Sequence, residues 1–199
     1  FLIEISSKFP QMFLNEKGRT SVKNDGLMPS ALSGPVLDFL MPKITLLGNG
    51  GAIWILAALI LLCTKKYRRQ GVLLLVGLIA GVLVGNACLK NLIARPRPCW
   101  LDSSVQLLIA NPADYSFPSG HTLSSVIGAT GLTKTNRRFG YAAIPLAALI
   151  AFSRLYLYVH FPSDVLAAAV LGVALGELVW RCGGKLLERW HAPRGRQRA

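Results

Sequence analysis

Five stretches of this chain, each 15 to 20 residues long, carry at most one histidine or charged side chain, and this pattern constrains the fold most strongly. They cover residues 44–63, 71–89, 117–133, 139–153 and 165–180. A helix needs about 20 mostly apolar residues to cross a bilayer, so each stretch is a candidate transmembrane helix. A shorter stretch, 31–43, carries three interrupting residues and either lies in the membrane interface or forms a sixth, irregular span. The sequence therefore predicts an all-α, polytopic membrane helix bundle with five to six transmembrane helices.

The composition agrees with a membrane protein. Only 16% of the residues are charged and the mean hydropathy is +0.45, whereas a soluble domain has about 25% charged residues. The formal net charge of +13 stands in short basic clusters between apolar runs. Such clusters are typical of cytoplasmic loops that face anionic lipids, and not of a nucleic-acid surface. We therefore expect a multi-pass protein of the cell membrane that contacts membrane lipids and binds no nucleic acid.

The basic clusters also predict the orientation. If residues 65–69, residues 134–138 and the C-terminal tail are cytoplasmic, every span alternates correctly. The connections 90–118 and 154–164 then share the extracytoplasmic face. Seven ionisable residues collect at that face. They are Lys90, Arg95, Arg97, His121, Arg154, His160 and Asp164.

The same pattern divides the chain into three parts. Residues 1–34 form a polar segment whose origin the sequence leaves open. Residues 35–182 form an integral-membrane domain, and residues 183–199 form a basic cytoplasmic tail. The connection between residues 95 and 117 is too interrupted to span. It either covers a site at the membrane surface or admits substrate, or it is an ordinary loop.

The first ionisable group stands in the stretch KNLIARPRP. Lys90 ends an apolar run, and Arg97 follows seven residues later. Pro96 and Pro98 end the helix and stiffen the chain, so both cations are held near a helix end. The alternative is that they are interfacial cations that reach the lipid head groups.

The second group is FPSGH. Pro118 suits the first turn of a helix, and Ser119 and Gly120 add no bulk. Free N–H groups at such a helix start bind anions, phosphate above all, and His121 lies close enough to reach what is bound. The alternative is a Pro/Gly turn followed by an interfacial histidine.

The third group is SRLYLYVHFPSD. Arg154 ends one span, and His160 precedes Pro162, which can start the next span. Asp164 then lies in the first turn, four residues after His160, where it can reach back to one imidazole nitrogen. A histidine oriented by a carboxylate is typical of an activated base or nucleophile. The alternative is a capping aspartate beside a structural histidine.

Taken together, the three groups predict phosphoryl transfer. Cations and helix-start N–H groups stabilise the charge of a transferring phosphoryl group. One histidine can attack phosphorus while the other protonates the departing oxygen. The sequence contains no carboxylate cluster for magnesium and no histidine and cysteine spacing for zinc. We therefore expect a reaction through phosphohistidine with no metal and no cofactor.

These stretches resemble the signature of the type-2 phosphatidic acid phosphatase superfamily, K-x6-R-P, P-S-G-H and S-R-x5-H-x3-D. Lys90, Arg97 and Pro98 match the first motif, Pro118 to His121 the second, and Ser153, Arg154, His160 and Asp164 the third. Arg95–Pro96 is an extra R-P pair, and the spacing assigns the family role to Arg97. The motifs lie within residues 90–164, and the helical pattern extends the resemblance to roughly 44–180.

The resemblance implies a six-helix core, to which the stretch 31–43 would supply the missing helix. It implies His160 as nucleophile, Asp164 as its orienting partner and His121 as general acid. It implies a phosphate pocket of five further residues: Lys90, Arg97, Ser119, Gly120 and Arg154. Substrates in this family are lipid phosphates or diphosphates, and the small size of the chain resembles the bacterial members.

An extracytoplasmic site in a bacterial membrane favours undecaprenyl diphosphate as substrate, with phosphatidylglycerol phosphate and phosphatidate as alternatives. Two other functions stay open at this point. One is a phosphotransferase with an acceptor other than water, and the other is a non-catalytic membrane protein that binds anionic lipids. The sequence does not predict an oligomeric state.

Overall fold

The computed structural model describes residues 34–102 and 104–191, and in this part of the chain every regular element is a helix. The α-helices are α1 (Pro35–Leu47), α2 (Ala52–Cys63), α3 (Arg68–Gly81), α4 (Lys90–Ile93), α5 (Pro98–Leu101), α6 (Gly120–Thr135), α7 (Arg137–Tyr156) and α8 (Pro162–His191). A π-helical segment, Val82–Leu89, joins α3 to α4 without a break. The all-α prediction is confirmed.

Within the residues that the structure describes, three helical segments are long and apolar enough to cross a membrane: Lys65–Leu101, Arg137–Tyr156 and Pro162–Lys185. The pair α1 and α2 adds a fourth if it forms one span bent by 45°. The 16-residue helix α6 packs between α3, α7 and α8. These segments agree with a multi-pass membrane protein, while the number of five to six spans stays a prediction.

The expectation of one continuous helix over 44–63 is wrong. The helix breaks between Gly48 and Gly51, because Gly50 and Gly51 have φ angles of 58° and 73°. This left-handed region is open to glycine at little cost and ends a right-handed helix. Residues 35–43 of the shorter stretch form the first part of α1, and residues 31–33 lie outside the described residues.

Close helix packing places α6 at the centre of the bundle. Gly81 and Gly85 face this helix, and a Cβ atom there would lie 2.6 Å from Ile127 and 2.3 Å from Leu123. On another side of α6, the Trp54 indole donates a hydrogen bond to Ser125 Oγ at 3.0 Å. The small residues let the backbones approach, and the start of α6 lies beside the end of α1 and the start of α8, where His121 contacts Asn49 and the Ser119 amide donates to the Asp164 carbonyl.

Candidate active site

Six of the eight predicted site residues line one cavity of about 890 Å³. They are Lys90, Arg97, Gly120, His121, Arg154 and His160. The other two, Ser119 and Asp164, are buried beside it, so the fold brings all three motifs together. Apolar side chains from α2, α3 and the π-helical segment also line the cavity, among them Ile55, Leu75, Leu78, Ile79 and Val82.

Three buried cations are among the residues that line the cavity. Lys90, Arg97 and Arg154 are between 2% and 6% exposed. Buried charges need partners, since removing them from water is costly. The carboxylate of Asp114 supplies one partner, pairing with Lys90 Nζ and, at 2.5 Å, with Arg97 Nη2.

Arg154 is less fully paired than its neighbours. Its Nη1 donates to Thr45 Oγ1 at 2.6 Å. Its buried Nε has no hydrogen-bond partner within the part of the chain that the structure describes. A buried guanidinium nitrogen without an acceptor, at the wall of a cavity, is suited to binding an anion there.

The start of α6 forms the second wall. Ser119 is the N-cap, and its Oγ accepts hydrogen bonds from the Thr122 amide at 3.4 Å and the Thr122 hydroxyl at 2.9 Å. Pro118 therefore precedes the helix instead of lying in its first turn, which corrects the prediction. The serine takes the capping role because its short side chain reaches the orphan amides of the first turn.

His160 lies in the short connection between α7 and α8, and a serine separates it from its predicted partner. The His160 Nδ1 to Asp164 Oδ2 distance is 3.7 Å, too long for a hydrogen bond. Ser116 Oγ donates to Asp164 Oδ2 at 2.5 Å and lies 3.4 Å from His160 Nδ1. Asp164 thus acts on the imidazole through Ser116 more than by direct contact.

Burial is the largest influence on the protonation of His160. It lowers the pKa of His160 to about 4, and the positive charges of Arg97 and Arg154 act in the same direction. The neighbouring Asp164 opposes this shift without reversing it. The imidazole is therefore neutral at physiological pH, which is the form that can act as a nucleophile.

Arg95 holds Asp164 from the other side. Its Nη1 donates to Asp164 Oδ1 at 2.5 Å and to Ser163 Oγ at 2.8 Å, and its guanidinium stacks 3.9 Å from the ring centre of Phe161. The sequence presented Arg95 only as an extra R-P pair. That repeated pair was the one signal that a further cation takes part in the site.

His121 contacts Asn49, a residue of the predicted transmembrane stretch 44–63. Its Nε2 lies 2.8 Å from Asn49 Oδ1. The break after α1 allows this contact, because it turns Asn49 toward the start of α6. The glycines around Asn49 in GNGG were the signal that could have predicted the break.

Asp114 and Ser116 were also missed. Both belong to the connection between α5 and α6, and nothing in its apolar pattern marks them. The alternative that this connection covers a site is the one that fits, since Asp114 contacts two of the cavity cations and Ser116 contacts His160 and Asp164.

Comparison with known proteins agrees with this geometry. A family model described as PAP2 superfamily matches residues 70–188, which is more than half of the chain. This chain belongs to the PAP2 superfamily. It is 35% identical to an undecaprenyl-diphosphatase of Sulfolobus acidocaldarius over 121 residues, 60% of this chain and 58% of that protein. It is 31% identical to undecaprenyl-diphosphatase BcrC of Bacillus subtilis over 146 residues, 73% of this chain and 75% of that protein.

Two solved structures of this superfamily share the fold. The PAP2 type phosphatidylglycerolphosphate phosphatase from Bacillus subtilis aligns with a TM-score of 0.64 and 28% identity, over 78% of this chain and 81% of that one. Aquifex aeolicus LpxE aligns with a TM-score of 0.67 and 27% identity, over 76% of this chain and 89% of that one. These similarities confirm the predicted family and helical membrane fold, and the names of the relatives agree with the predicted class of enzyme.

Proposed function

We propose that this PAP2 protein is an integral-membrane lipid phosphatase that hydrolyses a lipid phosphate or diphosphate through a phosphohistidine. The observation that carries the proposal is the cavity itself. Its lining has two main parts: three buried cations with two histidines, and a set of apolar side chains from α2, α3 and the π-helical segment. A phosphate group attached to a hydrocarbon chain matches both parts, whereas a small soluble phosphate matches only the first.

His160 is the proposed nucleophile. Its Nε2 attacks phosphorus, and the bond between phosphorus and the departing oxygen breaks as the nitrogen–phosphorus bond forms. His121 donates a proton to the departing oxygen and then takes a proton from the water that attacks the phosphohistidine. The second attack restores His160 and releases inorganic phosphate.

The remaining site residues stabilise charge or hold these groups in place. Lys90, Arg97 and Arg154 stabilise the negative charge of the phosphoryl oxygens. Ser119 caps α6, and Gly120 keeps the helix start open to the phosphate. Asp164 orients His160 through Ser116.

The proposed reaction uses no metal ion. In residues 34–102 and 104–185, no group of three or more His, Cys, Asp or Glu side chains is placed to hold one. The buried cations supply the positive charge that a metal supplies in other phosphoryl-transfer sites.

We further propose undecaprenyl diphosphate as the substrate and the extracytoplasmic side as the position of the site. The substrate follows the names of the two relatives above. The side follows from the basic clusters, because the cluster at 134–138 lies at the end of α6 opposite the site, a rise of roughly 24 Å for its 16 residues. Basic clusters favour the cytoplasmic face.

The test is phosphate release by the purified protein in detergent with EDTA. Wild type and His160→Ala are compared on undecaprenyl diphosphate, phosphatidylglycerol phosphate and phosphatidate. We expect an active wild type, an inactive variant and the highest kcat/KM on the diphosphate. Wild-type protein that releases no phosphate from any of the three contradicts the hydrolase. Activity that EDTA abolishes and magnesium restores contradicts the metal-free reaction.

A further inference from the structure

The pocket proposed for the substrate phosphate already holds an anion from the chain itself. The carboxylate of Asp114 pairs with Lys90 through one oxygen and with Arg97 through the other. Both cations are almost fully buried, whereas the Asp114 side chain is 56% exposed. Asp114 therefore reaches into the pocket from its open side, as an entering phosphate would.

Arg97 has no donor left over while Asp114 is in place. An arginine has five N–H donors, and Arg97 makes five contacts. Three of them go to backbone carbonyls, those of Asp114, Tyr115 and Val159. The other two go to side chains, Asp114 Oδ1 at 2.5 Å and His160 Nε2 at 3.2 Å.

Phosphate binding requires that side-chain contacts of Arg97 be released. The contact with His160 Nε2 must open because that nitrogen attacks phosphorus. The contact with Asp114 Oδ1 is the other one that can open, since the carbonyls are fixed by the fold and the carboxylate stands on a half-exposed side chain.

The buried cations nevertheless need an anion beside them when no phosphate is bound. Several buried cations close together are costly without a counter-ion. Burial alone would raise the pKa of Asp114, but Lys90 and Arg97 outweigh it and lower the pKa to about 2. Asp114 is therefore charged at physiological pH and offsets part of the positive charge of the pocket between turnovers.

We propose that Asp114 is an internal competitor of the substrate phosphate: its carboxylate occupies the site between Lys90 and Arg97 in the free protein and is displaced when a phosphate group binds. The inference rests on the phosphate pocket of the proposed function. It gives Asp114 a role that neither the motifs nor the chemistry of the reaction requires, which is to weaken the binding of inorganic phosphate and so to speed release of the product.

The experiment measures the binding of inorganic phosphate to purified protein in detergent by calorimetry. Asp114→Asn removes the negative charge and keeps the shape, and Asp114→Ala is measured beside it so that the result does not depend on one variant. Asp102→Asn is the matched control, because Asp102 is an exposed aspartate of the same connection that contacts Ser104 and no cation of the pocket. It makes the same change in net charge.

We expect both Asp114 variants to bind phosphate about threefold to tenfold more tightly than wild type, the range of two half-exposed ion pairs, and Asp102→Asn to bind like wild type. Unchanged or weaker binding in the Asp114 variants overturns the inference, and so does equal tightening in the Asp102 control. The measurement needs no turnover, so it is separate from the proposed function. If the Asp114 variants bind phosphate more tightly but the protein hydrolyses no lipid phosphate, the inference about Asp114 stands and the proposed hydrolase activity is contradicted.

Discussion

The two histidines of the cavity are held in opposite ways. His160 is 4% exposed and has contacts on both ring nitrogens, with Ser116 behind Nδ1 and Arg97 in front of Nε2. His121 is half-buried, and among the described residues the one side-chain contact of its ring nitrogens is Asn49, beside a break between two helices. The proposed nucleophile is thus held in one orientation before substrate arrives, while the proposed acid keeps freedom to follow the departing oxygen.

Removing each histidine should separate the two roles most strongly. His160→Ala is expected to lower kcat by about 10⁴-fold or more on every substrate, because no other residue forms the covalent intermediate. His121→Ala is expected to lower kcat by about 10²-fold to 10⁴-fold on phosphatidate, whose alkoxide leaves poorly, and much less on an aryl phosphate. Equal losses on both substrates for His121→Ala would contradict its role as general acid.

Arg95, which holds Asp164 in place beside His160, is expected to contribute less to kcat than either histidine. Arg95→Gln removes the ion pair with Asp164 and should lower kcat by about 10-fold to 100-fold with little change in KM, since Arg95 contacts no substrate. The matched control is Arg69→Gln, an exposed cation far along α3 from the site. A KM effect larger than the kcat effect would place Arg95 in the phosphate pocket instead.

The pH dependence of the reaction tests whether burial keeps the His160 imidazole neutral. The pKa of His160 is lowered to about 4, so the imidazole loses its proton as the pH rises through 4 and stays neutral above it. With an aryl phosphate, which needs no acid, kcat/KM should therefore hold down to about pH 4 and fall about tenfold per unit below it. If kcat/KM instead begins to fall near pH 6.5, the ordinary pKa of histidine being about 6.5, burial does not lower the pKa of His160 and the prediction is wrong.

The contact between Asn49 and His121 should have the smallest effect on kcat. Asn49→Ala removes the acceptor 2.8 Å from His121 Nε2 and is expected to lower kcat on phosphatidate about threefold to tenfold, the value of one hydrogen bond. The aryl phosphate rate should not change, and Asn49→Asp, which keeps the acceptor, should restore the phosphatidate rate. A loss on both substrates would mean that Asn49 holds the helix break and not the imidazole.

The class of fold and the chemistry of the site followed from local patterns. Absence of charge over the length of a span predicts a membrane helix, since a charged side chain in lipid is costly. The three motifs predicted which residues meet, because helices of this length carry their ends to one face. The close spacing of His160 and Asp164 predicted that the two side chains lie near each other, which they do at 3.7 Å, but not that Ser116 lies between them.

The contacts that complete the site join residues far apart in the chain. Asn49 and His121 are separated by 72 positions, Arg95 and Asp164 by 69, and Ser116 and Asp164 by 48. A composition pattern cannot distinguish an asparagine in an apolar run from one at a helix break. Nor can it distinguish a loop aspartate that contacts a serine, such as Asp102, from Asp114, which contacts two cations. Packing determined which of these residues contact the site. A hydrogen bond is made or lost over a few tenths of an ångström, and only the assembled helices fix atoms that closely.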